Sequence, residues 1–302
     1  MIKGLALTPP VIGRISIGRV VEKNGKRLPE KDDEFTLTSQ IQHKEGWITH
    51  PLDEALRGSS GAKLRSIPIK LLFDDPDLNM RANYTLFNRT TGRPMCVGNG
   101  ETCRRATAEG IQTFECRTPD GCELAQGSQC KPYGRLNVRV GEDDVLGTFI
   151  LRTTGFNTIR TLLARMAYLS ALTGGILASM PLELRLRGKS TTQSHRAPIY
   201  FVDLTLRAGQ SLHEAVEQAR AERAKQAELG VDQAALDEAA RRGFAMGAFE
   251  DVEDDGLPII EEFFPDAVQD DAQTSGPLNA SRTVLRDKLS AKTNRLESAS
   301  AG

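Results

Sequence analysis

"LELRLRGKSTTQSHRAPIYFVDLTLR", residues 182–207, alternates apolar and polar side chains twice over. Leu182, Leu184 and Leu186 fall on one side of an extended chain, Arg185 and Arg187 on the other. Val202, Leu204 and Leu206 then oppose Phe201, Thr205 and Arg207. A period of two with one apolar side describes a strand with one buried face. The polar, basic connection GKSTTQSHRAP makes the two strands neighbours. Just before them, TTGFNTIRTLLARMAYLSALTGG repeats Ile159, Leu162, Leu163, Met166 and Leu169 at helical spacing, and Gly174-Gly175 stops the run. A helix leading into a strand pair predicts an α+β fold with a mainly antiparallel sheet and packed helices.

The same pattern extends outward. Residues 11–21 read as a strand, Asn24-Gly25 as a hairpin turn and 34–40 as the returning strand. SIPIKLLF (66–73) and NYTLF (83–87) read as strands. RLNVRV (135–140) and LGTFILR (146–152) flank the acidic turn GEDD as a second hairpin. Ser211-Leu-His-Glu214 is a capping box that opens a charged helix to residue 229, closed by Gly230, with a shorter helix near 232–242. From 249 onward the composition is that of a disordered acidic tail, interrupted by the apolar–acidic motif LPIIEEFFPD (257–266). The expected organisation is a core over 1–210 with a cysteine-rich insertion at 92–134, a helical extension over 211–248 and a tail over 249–302.

Charge divides the 302-residue chain. Residues 250–271 hold ten acids and no Lys or Arg, whereas residues 1–249 hold 34 of the 39 basic residues and 28 of the 40 acids, a net of +6. A basic body attracts polyanions, and an acidic tail binds partners, imitates DNA over such a body or merely solubilises. No apolar run approaches the roughly 18 residues that cross a bilayer, and the N-terminus has too short an apolar core for a secretory signal. The expectation is a cytoplasmic protein of a bacterial host cell, not bound to membrane.

All five cysteines lie within 35 positions, separated by 6, 12, 5 and 7 residues. Their surroundings are rich in Gly, Thr, Arg and Glu, too poor in apolar groups to order a loop unaided. Four thiolates satisfy the tetrahedral preference of Zn²⁺, and such a tie folds what a small core cannot. The expected ligands of a structural zinc are Cys103, Cys116, Cys122 and Cys130, with Cys96 as the spare or as the replacement for Cys103. An iron–sulfur cluster and free buried cysteines are the other readings. A catalytic zinc is disfavoured, because no His occurs between residues 51 and 194.

Candidate nucleic-acid contacts follow from the same strands. Arg185, Arg187 and Lys189 share a strand face with Phe201 and Arg207. Guanidinium groups grip phosphate and an aromatic ring stacks on an unpaired base. An ordinary solvated sheet face is the alternative, and Glu183 on that face favours it. Arg152, Thr153 and Thr154 precede the long helix, where a hydroxyl caps the first turn and free amides attract phosphate, with Arg160 in the next turn; plain capping is the alternative. Trp47 reads as a packing anchor, and His43, His50, His195 and His213 as isolated surface or core residues.

CVGNGETCRR, the later cysteines ending in CKPYGRLNV, FILRTTGFNTIRTL and PLELRLRGKSTTQSHRAPIYFVDL together resemble a family of phage and mobile-element proteins often labelled hydrolase or metal-binding protein. That family is similar to the recombination directionality factors of serine-integrase phages. The resemblance covers residues 1–210. It implies a zinc-bearing accessory of DNA recombination or replication.

Three functions remain. One is a non-enzymatic accessory that binds or anneals single-stranded DNA. Another is a directionality factor that docks on an integrase, recombinase or exonuclease through the cysteine region or the 257–266 motif. The third, a metal-dependent hydrolase, finds no paired His and Asp set, no G-x-S-x-G and no P-loop to support it. The helices over 211–242 are a candidate surface for self-association, although charge on several faces argues against a strong coiled coil.

Overall fold

The computed structural model describes residues 10–23, 26–43, 46–59, 61–141, 146–190, 192, 196, 198–244, 259, 260 and 263, with backbone alone at 18–23, 26–32, 126–128 and 243–244. The chain forms two units, Met1–Pro265 and Asp266–Gly302, and the second lies wholly outside the described residues.

Twelve strands form one sheet among the described residues. They are β1 (Val11–Lys23), β2 (Lys26–His43), β3 (Gly46–Thr49), β4 (Ser66–Lys70), β5 (Met80–Phe87), β6 (Pro94–Gly98), β7 (Thr102–Thr107), β8 (Gly110–Glu115), β9 (Cys130–Val140), β10 (Thr148–Thr153), β11 (Leu182–Ser190) and β12 (Pro198–Leu206). The main path runs β3-β2-β1-β10-β9-β5-β6-β7-β8, and a branch leaves the far end of β9 through β4 to β11 and β12. All pairings are antiparallel except β1 with β10. The α+β, mainly antiparallel expectation therefore holds, with one parallel pair added.

The helix predicted from 3.6-residue spacing is α4 after three short helices: α1 (Pro51–Arg57), α2 (Pro76–Asn79), α3 (Thr118–Gly121) and α4 (Phe156–Thr173). Its apolar stripe of Ile159, Leu162, Met166 and Leu169 is buried, together with the inward residues of the sheet: Phe35, Leu37, Ile69, Leu136, Val138, Phe149, Leu182, Leu184 and Val202. Gly174 at φ 70° ends it. α4 also covers the outer edge of β12, where Thr158 Oγ1 accepts from Val202 N at 3.2 Å. That contact satisfies a donor an edge strand would otherwise leave open.

Two expectations change. The returning strand β2 is much longer than 34–40. Its turn at 24–25 lies outside the described residues. The cysteine region is also no loose insertion, for β6, β7 and β8 continue the main sheet as a meander beside β5. Backbone pairing supplies the order there that apolar content does not.

The charged helices α5 (Leu212–Glu228) and α6 (Gln233–Phe244) follow, and Ser211 with Glu214 forms the capping box read from sequence. They are tied to the core. Arg223 donates to Asp74 Oδ1 at 2.7 Å and to Ser179 Oγ at 3.2 Å. Asp237 Oδ2 accepts from the amides of Asp74 and Asp75 at 3.0 and 3.1 Å, while Gln233 Nε2 reaches Leu72 O at 2.9 Å.

Two predictions arise from this packing. A Cβ added to Gly13 would meet the Phe149 ring and the backbone oxygen of Thr38 at 2.6 Å, and backbone cannot step aside. Gly13→Ala should therefore cost about 1–3 kcal/mol in a denaturant titration; an unchanged midpoint would reject the close approach of β1 to its neighbours. His50 caps α1, its Nδ1 accepting from Leu52 N at 3.2 Å with its ring edge-on to Phe149. Burial lowers its pKa below the usual 6.5. The unfolded chain then takes up this proton first, so stability falls as pH drops below about 6.5. His50→Asn keeps an N-cap acceptor without the titration. Its melting temperature should fall less than that of the unaltered chain between about pH 7 and pH 5.5; equal slopes would remove His50 as the source.

Candidate functional site

The two basic pieces read from sequence lie together. Arg187 sits directly opposite Phe201 across β11 and β12, and Arg185 opposite Asp203. Lys189 lies 5.7 Å from the Phe201 ring centroid, and its Nζ donates to Asn157 Oδ1 at 2.8 Å in the first turn of α4. The strand face and the helix start are therefore neighbours, and Arg160 is exposed beside them.

Their charge is answered from within. Arg187 donates to Asp203 Oδ2 at 2.9 Å and Arg165 to Asp203 Oδ1 at 3.1 Å, while Arg185 donates to Glu183 Oε1 at 2.8 Å. Both carboxylates are buried. Glu183 also accepts from Thr205 Oγ1 and Ala208 N. Asp203 was missed in the sequence reading although the alternation that placed Phe201 and Thr205 on this face places Asp203 between them. Arg207 is engaged as well. Arginines held by buried carboxylates have part of their phosphate-binding capacity already used.

The helix start also differs from expectation. Gly155, not Thr153 or Thr154, is the N-cap of α4, and no side chain caps it. Thr153 Oγ1 instead accepts from Gly155 N at 3.0 Å, a local turn that ends β10 before the helix begins. Arg152 belongs elsewhere. It stands in register with Arg135 on β9, which in turn opposes Arg81 on β5. Three arginines thus form one cross-strand row on the outer face of the main sheet, away from Leu136 and α4. Beside it Arg14 lies over the half-buried Trp47, its guanidinium carbon 4.1 Å from the ring centroid.

The cysteines gather at the far end of the sheet. Leu86 on β5 has Cys96 opposite it on β6 and Cys130 opposite it on β9, while Cys103 stands opposite Gly98. A Cβ on Gly98 would lie 2.7 Å from Cys116 Sγ and 2.8 Å from Cys103 Cβ, so glycine there lets those two cysteines approach. All five are free thiols. Burial pushes the Cys130 thiol up to about 12, with Cys96, Cys122, Cys116 and Cys103 adding in that order. Cys96 is pushed up to about 11 by burial, against a hydrogen bond with Arg105 that lowers it. Cys96 is thus as much a member of the cluster as Cys103. Among the described residues, no three His, Cys, Asp or Glu side chains close into a metal-holding set. Exposed apolar groups surround the cluster: Ile111 and Phe114 on β8, the last strand of the path, and Leu124. Arg105 lies over the Phe114 ring at 4.7 Å.

His50 is a helix cap, His213 pairs with Glu217 at 3.2 Å on the surface of α5, and His195 lies outside the described residues. No helix among the described residues is long and apolar enough to cross a membrane.

Comparison with curated proteins finds no match, and neither does comparison with solved structures. Comparison with protein families matches residues 12–207, more than half of the chain, to the Gp3-like family, described as recombination directionality factor-like. The match begins in β1 and ends just after β12, so it takes in the whole sheet and both candidate sites but neither α5 nor α6. The chain belongs to the Gp3-like, recombination directionality factor-like family.

Proposed function

We propose that the protein is a phage recombination accessory that works by docking on an integrase, and that its docking end is the cysteine-bearing meander β6–β8. The observation that carries this reading is the composition of that end. On the outermost strand the exposed Phe114 stands opposite Cys103 on the thiol-bearing face while the exposed Ile111 points to the other face, and Leu124 is exposed in the segment that follows. Apolar side chains on an outermost strand fit a protein partner better than a phosphate backbone. The acids of the region, Glu101, Glu109, Glu115, Asp120 and Glu123, offset its arginines and disfavour DNA as the principal ligand there.

Zinc is the cofactor of this reading. It is held by Cys116, Cys122 and Cys130, with Cys103 or Cys96 as the fourth ligand. The support is chemical: five thiols gather at one end of the sheet, burial and neighbouring cysteines raise the pKa of Cys130 and Cys96, and a divalent cation stabilises the thiolate form. Cys122→Ser should bring the zinc content of the purified protein from about one per chain to near zero, read by metal analysis. Cys96→Ser and Cys103→Ser should then differ, only one of them losing metal. Wild-type protein free of zinc and iron after purification without chelator would end the proposal.

A second reading is supported by Lys189, Phe201 and the exposed Arg160, which suit single-stranded DNA laid along β11, β12 and the start of α4. The compensation by Glu183 and Asp203 ranks it below integrase docking. The two separate by mutation. Ile111→Asp with Phe114→Asp should weaken binding to the serine integrase of the same element by about tenfold or more in a pull-down titration, as loss of apolar anchors does. Arg187→Ala with Lys189→Ala should leave it unchanged. The opposite pattern, with salt-sensitive oligonucleotide binding, would favour the second reading.

A further inference from the structure

The outer face of the main sheet is covered where a solvated face would be open. Tyr133 and Arg135 are the outward residues of β9, yet they are only 4% and 5% exposed; on the same face Thr85 of β5 is 3% exposed and Val97 of β6 is 8%. Among the described residues Phe263 lies there. Phe263 packs edge-on against Tyr133 with ring centroids 6.1 Å apart, and Ile259 and Ile260 are 1% and 4% exposed. Tyr133 in turn meets Phe87 edge-on at 5.4 Å and lies 5.8 Å from the Arg135 guanidinium carbon. These groups, with Asn83, Thr85 and Val97, line a shallow concavity on this face.

The charge of the face suits such an occupant. Arg81, Arg135 and Arg152 stand in one cross-strand row, and like charges placed directly opposite repel. Each of the three is engaged, as is Lys131 on the same face. The sequence around the placed apolar residues is acidic. Glu261 and Glu262 lie between Ile260 and Phe263, and five further acids, Glu250 to Asp255, precede them with no Lys or Arg. Apolar anchors among acids match an aromatic pocket beside arginines.

We infer that the outer face around Tyr133 and the Arg81–Arg135–Arg152 row is a docking surface for a short apolar–acidic peptide, and that Ile259, Ile260 and Phe263 of this chain occupy it in cis. The occupant is the chain's own segment, and an incoming peptide of the same chemistry must displace it. The surface shares β6 and β9 with the cysteine end but lies on the sheet face opposite Cys96 and Cys130, and away from the β11–β12 face, so this inference stands apart from integrase docking.

The test uses full-length protein and a fluorescent peptide of residues 250–265, followed by anisotropy. Ile259→Asp with Ile260→Asp frees the face. The freed variant should bind the peptide at least about tenfold more tightly than the unaltered chain, whose face is already filled. Adding Arg135→Gln should abolish the gain, and raising salt should weaken it. Equal binding by both proteins, or by neither, would overturn the inference. So would a freed variant that binds single-stranded oligonucleotide in preference to the peptide. If the double aspartate fails to fold, Phe263→Ala serves in its place. With that variant, hydrogen exchange over residues 131–137 should quicken while β11 is unaffected; unchanged exchange over 131–137 would equally overturn it.

Discussion

One strand carries the architecture. β9 pairs with β10 along its middle, with β5 along its first half and with β4 at its last two residues, so the main sheet and the branch to β11 and β12 meet on a single backbone. Its strict alternation then assigns two environments. Gly134, Leu136, Val138 and Val140 face α4 and the apolar core, and a Cβ on Gly134 would already lie 2.7 Å from Met80 Cε. Lys131, Tyr133 and Arg135 face the other way. A slip of one residue would drive Lys131, Arg135 and Arg139 into the core and bring Leu136, Val138 and Val140 out, so the register is held by charge as much as by apolar burial. Cys130 opens the same strand. The thiol cluster and the outer arginine row are thus positioned by the same hydrogen-bond ladder.

The elements with clean periodicity were legible in the sequence. Leu182, Leu184, Val202 and Leu204 alternate as their burial requires, and Ile159, Leu162 and Met166 repeat as α4 does, because each element buries one face and leaves the other polar. The capping box at Ser211 was legible for a more local reason, since its hydrogen bonds close within four residues. What was hidden depends on pairing between distant segments. The hairpin reading of RLNVRV and LGTFILR brings Arg135 and Arg152 near each other, but nothing in those segments announces that Arg81, more than fifty residues earlier, completes the row. The meander β6–β8 was hidden too, because its strands are too polar to show an apolar side and owe their order to the edge of β5. Asp203 is a different case. The alternation did place it, and attention to Phe201 and Arg207 passed over the carboxylate that pairs with Arg187.

Charge in this chain is largely settled internally. Glu183 and Asp203 are buried on the strand face that also carries Arg185 and Arg187, with Arg165 of α4 reaching Asp203, and burying a carboxylate is tolerable only where guanidinium groups and amides meet it. The same logic ties α5 and α6 to the core, where Asp74 and Asp237 collect Arg223, Gln233 and backbone amides. Burial raises the pKa of Asp237 while the hydrogen bonds from Gln233, Asp75 and Asp74 oppose it. The family match stops before these helices. They are nonetheless joined to the core by at least five hydrogen bonds to residues inside the matched region, so they are part of the folded unit in this chain.

The cysteine end shows the opposite condition. There the like groups are not answered by their surroundings: Cys130 and Cys96 are pushed to about 12 and 11 chiefly by burial, and the nearest cation, Arg105, offsets only part of this at Cys96. A cluster of thiols on a polar, glycine-rich meander contributes little apolar burial, since Cys103 alone of the five is buried. Such a cluster stabilises the sheet end little unless something couples the sulfurs. Disulfides would pair four and leave one, and they would be reduced in a reducing compartment. A single cation shared by Cys116, Cys122, Cys130 and either Cys96 or Cys103 would couple β6 or β7 to the segment after β8 and to β9. It would hold the exposed Ile111 and Phe114 of the last strand in fixed relation to the core. The chemistry of the cluster and the presentation of the apolar edge are therefore one structural problem, and the register through Leu86 and Gly98 is what brings them to the same end of the sheet.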